Sequence, residues 1–219
     1  QGWSTTTGKQ EIWSTVLESL FPDQGEEFPK WIEPPYSPVS APDLYTDDNC
    51  FNMTTGRRQG TYFHSEHRQL PWCRELWPVP RLEMNPTDAA KLGLDQGDWV
   101  WIETNFNGEQ RKIREIIDLY YGIAPGVVNA EHQWWYPELD QADRGFRLSG
   151  VNNLIDMDAQ DRICGSSNLR AYAVKVYKAT AENSPFGNPV PCGDDGKEVI
   201  HTCDDPRLTE WMPDYEGRE

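Results

Sequence analysis

The residues best suited to chemistry crowd into one stretch, FNMTTGRRQGTYFHSEHRQLPWCREL, at 51–76. A short apolar strand there runs into Thr55-Gly56-Arg57, a second glycine follows, and polar residues then alternate with aromatics. Glycine lets backbone approach a ligand closely, the threonine hydroxyl can bond a phosphate or an amide, and arginine offers a fork for anionic oxygens. Taken alone, such a turn is an ordinary strand-to-turn junction. Arg57, Arg58, His64, His67, Arg68 and Arg74 nevertheless form a local basic cluster in a chain whose net charge is −16. That negative field repels nucleic acid and anionic membrane while leaving room for a small phosphorylated ligand at the basic spot.

Other candidates each carry a plainer alternative. His64 and His67, three apart, could join Cys73 as metal ligands, but no second ligand pair accompanies them, and His67 reads as a surface histidine paired with Glu66. The run EHQWWYPE at 131–138 reads equally as aromatic core or as site lining. Five cysteines (Cys50, Cys73, Cys164, Cys192 and Cys203) include no C-x-x-C pair and match no zinc or iron–sulfur spacing. Cys192 and Cys203 bracket a Gly/Asp-rich loop and are open to pairing in an oxidising compartment. No catalytic residue and no metal site is assigned.

Several elements must position these residues. Ile12, Trp13, Val16, Leu17 and Leu20 fall on one stripe, which predicts an amphipathic helix over 9–20 ended by Pro22. Five prolines in 28–42 demand an extended linker or strap, because proline fixes φ and lacks a donor. A compact domain is expected over 43–180, mostly β with short helices. In NPTDAAKLGL, Asn85 caps a helix, Pro86 opens it and Gly93 stops it. DQGDWVWIET turns into a strand, NFNG (105–108) makes a turn, and EQRKIREIIDL returns as a second strand. A short buried strand is expected within GIAPGVVNAEH, and AYAVKVYKA (171–179) alternates cleanly. Many short strands with Gly/Pro turns predict a closed barrel, which has no exposed edges. Residues 181–219 read as an irregular acidic tail. The length of 219 residues suits one sizeable domain, ten tryptophans supply large apolar area, and no apolar window is long enough for a membrane span. The start at Gln1, without a leader, suggests a piece of a longer protein whose compartment stays open.

In order, TTGRRQGTYFHSEHRQLPW, EMNPTDAAKLGLDQGDWVWIET, PGVVNAEHQWWYP and VNNLID resemble the C-terminal domain of the dimethyl sulfoxide reductase family of molybdenum/tungsten oxidoreductases. The resemblance covers roughly 43–180. It implies a double-psi β-barrel, related to aspartate decarboxylase, that packs over a catalytic body and binds molybdopterin guanine dinucleotide (bis-MGD with Mo or W). Thr55, Gly56 and Arg57 then match the turn that contacts the dinucleotide, and His64 and Ser65 the polar pair facing the pyranopterin. Asn152 matches an asparagine suited to a pterin edge, and Arg170 falls where relatives often carry lysine. His132 and Trp134 fall near the cofactor or a substrate funnel. The metal's protein ligand and an iron–sulfur cluster would lie in other domains of the same subunit, with an iron–sulfur electron-transfer subunit as a candidate partner. The family spans reductases, formate dehydrogenases, acetylene hydratase and enzymes that hydroxylate or dehydroxylate aromatic rings. H-x-W-W-Y-P points towards its thiosulfate/polysulfide reductase and acetylene hydratase members. The alternative is a free-standing acidic β-barrel that serves as an interaction module without a cofactor.

Overall fold

The computed structural model describes residues 2–57, 59–106, 108–184 and 189–211, which divide into two compact units, 1–33 and 34–219. In the first unit, helix α1 spans only Thr15–Leu20, half the length the apolar stripe predicts. The shortening has a local cause. Ser14 stands in an extended conformation and its hydroxyl accepts from the Leu17 N–H at 3.2 Å, so Ser14 is the N-cap and Lys9–Trp13 precede the helix. Trp13 instead lies 5.5 Å from the Phe28 ring, and Ile12, Val16 and Leu20 are exposed.

The second unit is built on a closed barrel of six strands among the described residues, in the order β1-β5-β2-β4-β3-β6. These are β1 (Cys50–Arg57), β2 (Arg81–Met84), β3 (Trp99–Phe106), β4 (Glu109–Leu119), β5 (Val127–Glu131) and β6 (Arg170–Lys178). β1 pairs parallel with β5 and β2 with β4, while the remaining pairs are antiparallel. This is a double-psi β-barrel. The period-2 alternation fills it: Met53, Leu82, Met84, Ile102, Ile113, Val128, Tyr172, Val174 and Val176 are buried in one cluster. Helix α2 is Pro71–Leu76 and α3 is Pro86–Leu92. The Asn85 side chain accepts from the Thr87 N–H at 2.9 Å, and Gly93 ends α3 at φ 64°, as the sequence requires. No helix among the described residues is long and apolar enough to cross a membrane.

Two segments sit differently from expectation. The strap's last part belongs to the barrel unit, because Tyr36 packs 4.2 Å from the Phe106 ring and its hydroxyl donates to Asp156. The irregular acidic tail also contributes to a core. Val190, Cys192, Val199, Ile200 and Leu208 are buried, and Val190 and Val199 join a second core with Trp99, Trp101, Trp134 and Tyr136 on the outside of the barrel. Cys192 is buried and Cys203 exposed, both as free thiols, so the pairing left open by the sequence is not made.

Candidate functional site

Two bulges shape the end of β1. Between Thr55 and Arg57 the register with β5 slips by one at Gly56, which takes φ 123°. On the other side, Met53 faces Tyr172 and Thr54 faces Arg170, so Ala171 is the extra residue, at φ 62°. A bulge re-aims the side chains beside it, and positive φ at an alanine is strained backbone of the kind that collects at ligand sites. Between them lies a cleft of about 350 Å³ lined by Thr54, Thr55, Gly56, Glu83, Tyr120, Gly122, Ile123, Asn129 and Arg170. Its floor is a register row: Arg170 opposes Thr54, Thr54 opposes Asn129, and Asn129 opposes Glu83. Because the neighbours in sequence (Met53, Val128, Met84) point inward, this row lies on the barrel's outer face. Asn129 Nδ2 donates to Glu83 Oε2 at 2.7 Å. The Thr55 hydroxyl donates to the Leu169 carbonyl at 2.7 Å, which fixes the approach to Arg170 and still leaves its oxygen able to accept. A Cβ on Gly122 would come within 2.3 Å of the Tyr120 ring, so only glycine lets that half-exposed ring fold over the cleft's edge.

A second cleft, of about 410 Å³, is built on loops: Ser65, Gln133, Trp135, Ala142, Asp143, Arg144, Phe146 and Asn152 line it. Helix α4 (Phe146–Ser149) and the 3-10 turn Val151–Leu154 form one wall. His64, His67, Gln133 and Arg144 all have positive φ here, a concentration of left-handed non-glycine residues that marks an over-determined site. Trp135 Nε1 donates to the Ser65 carbonyl at 2.6 Å and ties the two loops together. Gln133, which lines the cleft, has a buried Oε1 without a hydrogen-bond partner. Hydrogen bonds from the Gln141 amide and the Gly145 and Arg147 N–H groups hold the Asp143 carboxyl below the usual range, against the opposing effect of its partial burial.

Beneath these loops lies a layer of buried charge. Arg68 is 1% exposed, sits 4.1 Å from the Tyr62 ring centre and 4.7 Å from that of Trp134, and pairs with Glu131 at 3.9 Å. Its guanidinium donates to the carbonyls of Glu66 and His132, one from each loop, at 3.0 and 3.4 Å. Burial pulls the Arg68 pKa down and pushes the Tyr62 and Cys73 groups up. Arg74 makes a bidentate pair with Glu138, at 3.1 and 3.0 Å, and donates to the Ile200 carbonyl. Sequence reading counted these arginines in a local basic cluster; the structure buries both as structural cations.

The structure therefore splits the expected site residues. Thr55, Gly56 and Arg170 meet in the strand cleft, and Ser65 and Asn152 in the loop cleft. Asn152 is the exposed member of its Asn-Asn pair, whereas Asn153 donates inward to the Phe146 and Gly150 carbonyls. His64 stands edge-on to His132, ring centres 5.4 Å apart, on the loops that build the second cleft. Trp134 is completely buried in the second core, so the tryptophan on the cleft is its neighbour Trp135. Arg57 ends β1 opposite Glu131, but its side chain and all of Arg58 lie outside the described residues. His67 pairs with Glu66 at 3.9 Å. Glu83 and Asn129 escaped sequence reading, whereas Gln133 and Trp135 fall in the run 131–138 that it left open as core or site lining. Only the alternation of β5 could have flagged Asn129, and nothing in RLEM singles out Glu83.

A barrel with bulge-shaped polar clefts at a strand end is a small-ligand cradle. The family model described as "Molydopterin dinucleotide binding domain" matches residues 51–173, which contain both glycine-bearing bulge and loop cleft, and the chain belongs to that family, the dinucleotide-binding domain of enzymes of the dimethyl sulfoxide reductase type. Over all 219 residues it is 60% identical to the dopamine dehydroxylase of Eggerthella lenta, covering 21% of that protein. It is 30% identical over 185 residues to the acetylene hydratase of Syntrophotalea acetylenica, covering 81% of this chain and 24% of that one. The solved acetylene hydratase from Pelobacter acetylenicus superposes with a TM-score of 0.72 at 27% identity, over 81% of this chain and 24% of that chain. The chain thus spans about a fifth to a quarter of the length of these relatives.

Proposed function

We propose that this chain is the part of a larger molybdopterin enzyme that holds the guanine dinucleotide cofactor against a catalytic body, and that the whole protein removes a hydroxyl group from a catechol-type ring. The observation that carries the holding role is that the strand cleft, with its bulges at Gly56 and Ala171, falls inside the segment matching the dinucleotide-binding family. Its residues suit the group. Gly56 has no atom within 4 Å of where a Cβ would stand, so a phosphate can approach the backbone, and Arg170 offers a cation beside it. In the loop cleft, the Trp135 and Phe146 rings, the Asn152 amide and the unpartnered Gln133 oxygen suit a flat heterocycle with a donor and acceptor edge. His64 and Ser65 stand at that cleft's side of the domain. When bound, the metal and its pterins, molybdenum or tungsten, supply the two-electron chemistry. This chain's own residues bind, orient and exclude water; the metal's protein ligand, an iron–sulfur cluster and an electron-transfer subunit belong outside it.

Ring dehydroxylation is favoured over the hydration or sulfur-compound reduction towards which H-x-W-W-Y-P pointed, because the 60% identity to a dopamine dehydroxylase runs unbroken across the chain. The test is to purify the whole protein anaerobically, quantify molybdenum, tungsten and oxidised pterin, and supply catechols with a low-potential electron donor. Loss of one ring hydroxyl is expected, with one pterin-bound metal per chain. Absence of pterin would overturn the holding role. Pterin and metal with activity on acetylene or thiosulfate, and none on catechols, would overturn the substrate reading alone.

A further inference from the structure

We propose that the first unit, residues 1–33, is a docking element that packs its exposed tryptophan and aliphatic side chains onto an apolar surface of the same polypeptide's catalytic body. That role rests on the proposed place of this chain within a larger protein. The unit itself lies outside the segment, 51–173, that matches the dinucleotide-binding family. It has no core of its own. Among its described residues only Glu26 is buried, paired with Lys30 at 3.0 Å. Trp3, Ile12, Val16, Leu20, Trp31 and Ile32 are all exposed, from 57% at Val16 to 84% at Ile12. Helix α1 buries no residue, and six residues are too few to stay helical in water unsupported. A segment below about 40 residues ordinarily needs a disulfide, a metal or a partner, and this one contains no cysteine. Apolar exposure on this scale marks an interaction surface.

The local chemistry sets the kind of surface it fits. A tryptophan has one donor, its indole N–H. Trp31 Nε1 already donates to Glu33 at 3.1 Å and Trp13 Nε1 to Glu18 at 3.0 Å, so what the rings still offer is apolar. Trp31 and Ile32 stand between Pro29 and Pro34, which restrict the backbone in advance and lower the entropy lost on docking. The occupant is the rest of the same chain. The relative matched across all 219 residues carries this unit too, and the match covers 21% of that protein, so its larger part lies beyond the unit and the barrel. A covalently joined partner meets such a surface at high effective concentration. A second copy fits poorly: the unit carries six carboxylates against two lysines, and the chain a net charge of −16, so like units repel.

Hydrogen exchange and lysine cross-linking on the purified whole protein test the docking together. Amides of α1 and of 30–33 should exchange about a hundredfold or more slowly than in the unfolded chain, whereas an unsupported six-residue helix would show almost no protection. Cross-links from Lys9 and Lys30 should lead to residues of the same polypeptide outside these 219, with mixed light- and heavy-isotope protein separating links within a chain from links between copies. Combining Ile12→Asp with Trp31→Asp should speed exchange across α1 by about tenfold or more, the scale of a lost aromatic anchor, while the barrel strands keep their protection. Trp31→Phe alone should keep most of the wild-type protection. Near-unfolded exchange of the unit in wild type would overturn the proposal, as would unchanged exchange in the double variant. Links confined to the barrel, to a second copy or to a separate electron-transfer subunit would overturn it as well. Absence of oxidised pterin, with the unit protected and linked to the body, would instead refute the holding role and leave the docking intact.

Discussion

The strand cleft and the loop cleft are built by opposite means. In the first, position is set by register: Arg170, Thr54, Asn129 and Glu83 stand in line because hydrogen-bonded strands leave them no other place. Strain falls on Ala171, while the other bulge is taken up by Gly56, which adopts its φ of 123° freely. In the second, no ladder holds His64, Ser65, Gln133 and Arg144, four neighbours on irregular backbone, three of them at positive φ. What fixes them is the layer beneath, where Arg68 binds one carbonyl from each loop and Arg74 locks onto Glu138 and the tail. A register-set site should survive the loss of single contacts, and a clamp-set site should not.

The largest test of that contrast is Glu138→Ala, which strands the Arg74 guanidinium, 0% exposed, without its partner. Removing one member of a buried pair costs about 3–5 kcal/mol. Hydrogen exchange on the whole protein should show loops 62–70 and 132–145 opening by that amount while β1, β5 and β2 keep their protection; equal loosening of the strands would erase the distinction.

Two glycines sharpen it further. A Cβ on Gly145 would stand 2.8 Å from both Leu139 and Tyr136, at φ 68°, so Gly145→Ala should cost about 1–3 kcal/mol in the same exchange experiment. Gly56→Ala meets no neighbouring atom and pays only for its backbone angle, about 1–2 kcal/mol. Its larger effect should be a lowered content of oxidised pterin in the purified whole protein, because Gly56 lines the strand cleft. Ala171→Gly should relieve the second bulge and stabilise by less than about 1 kcal/mol, the gain in angle being offset by glycine's greater unfolded freedom.

The smallest effect concerns pH. Asp143 has its carboxyl pKa held below the ordinary range, so it stabilises the loop cleft above the unfolded-state value, about 3.9. That contribution disappears as pH falls through the lower folded value. Pepsin cleavage within 140–147 should therefore rise between about pH 4 and about pH 2, and Asp143→Asn should flatten the rise. An identical profile in the variant would assign the acid sensitivity elsewhere.

Much of the barrel was legible because its signals are local. Asn85, Pro86 and Gly93 bound a helix by capping chemistry, and AYAVKVYKA announces a strand by alternation. β2 was missed because four residues, RLEM, are too few for a period to show. Helix α1 was overread because an apolar stripe says nothing about where a serine will cap. The packing of the irregular acidic tail was not foreseen, because its acidic character hides Val190, Val199 and Ile200, which bury only once a second core exists on the barrel's outer wall.

Thr55-Gly56 and the ordered segments across 43–180 were determined by the sequence alone, since turn chemistry and motif order are written in consecutive residues. Only the tertiary structure decided which polar residues accompany them. Glu83 lies twenty-nine positions from Thr54, and Asn129 seventy-five; barrel closure and strand register make them neighbours. The same long-range packing turned Arg68 and Arg74 from members of a local basic cluster into buried clamps, and exchanged Trp134 for Trp135 at the cleft. Whether a side chain faces ligand or core depends on what closes over it, and residues distant along the chain do the closing.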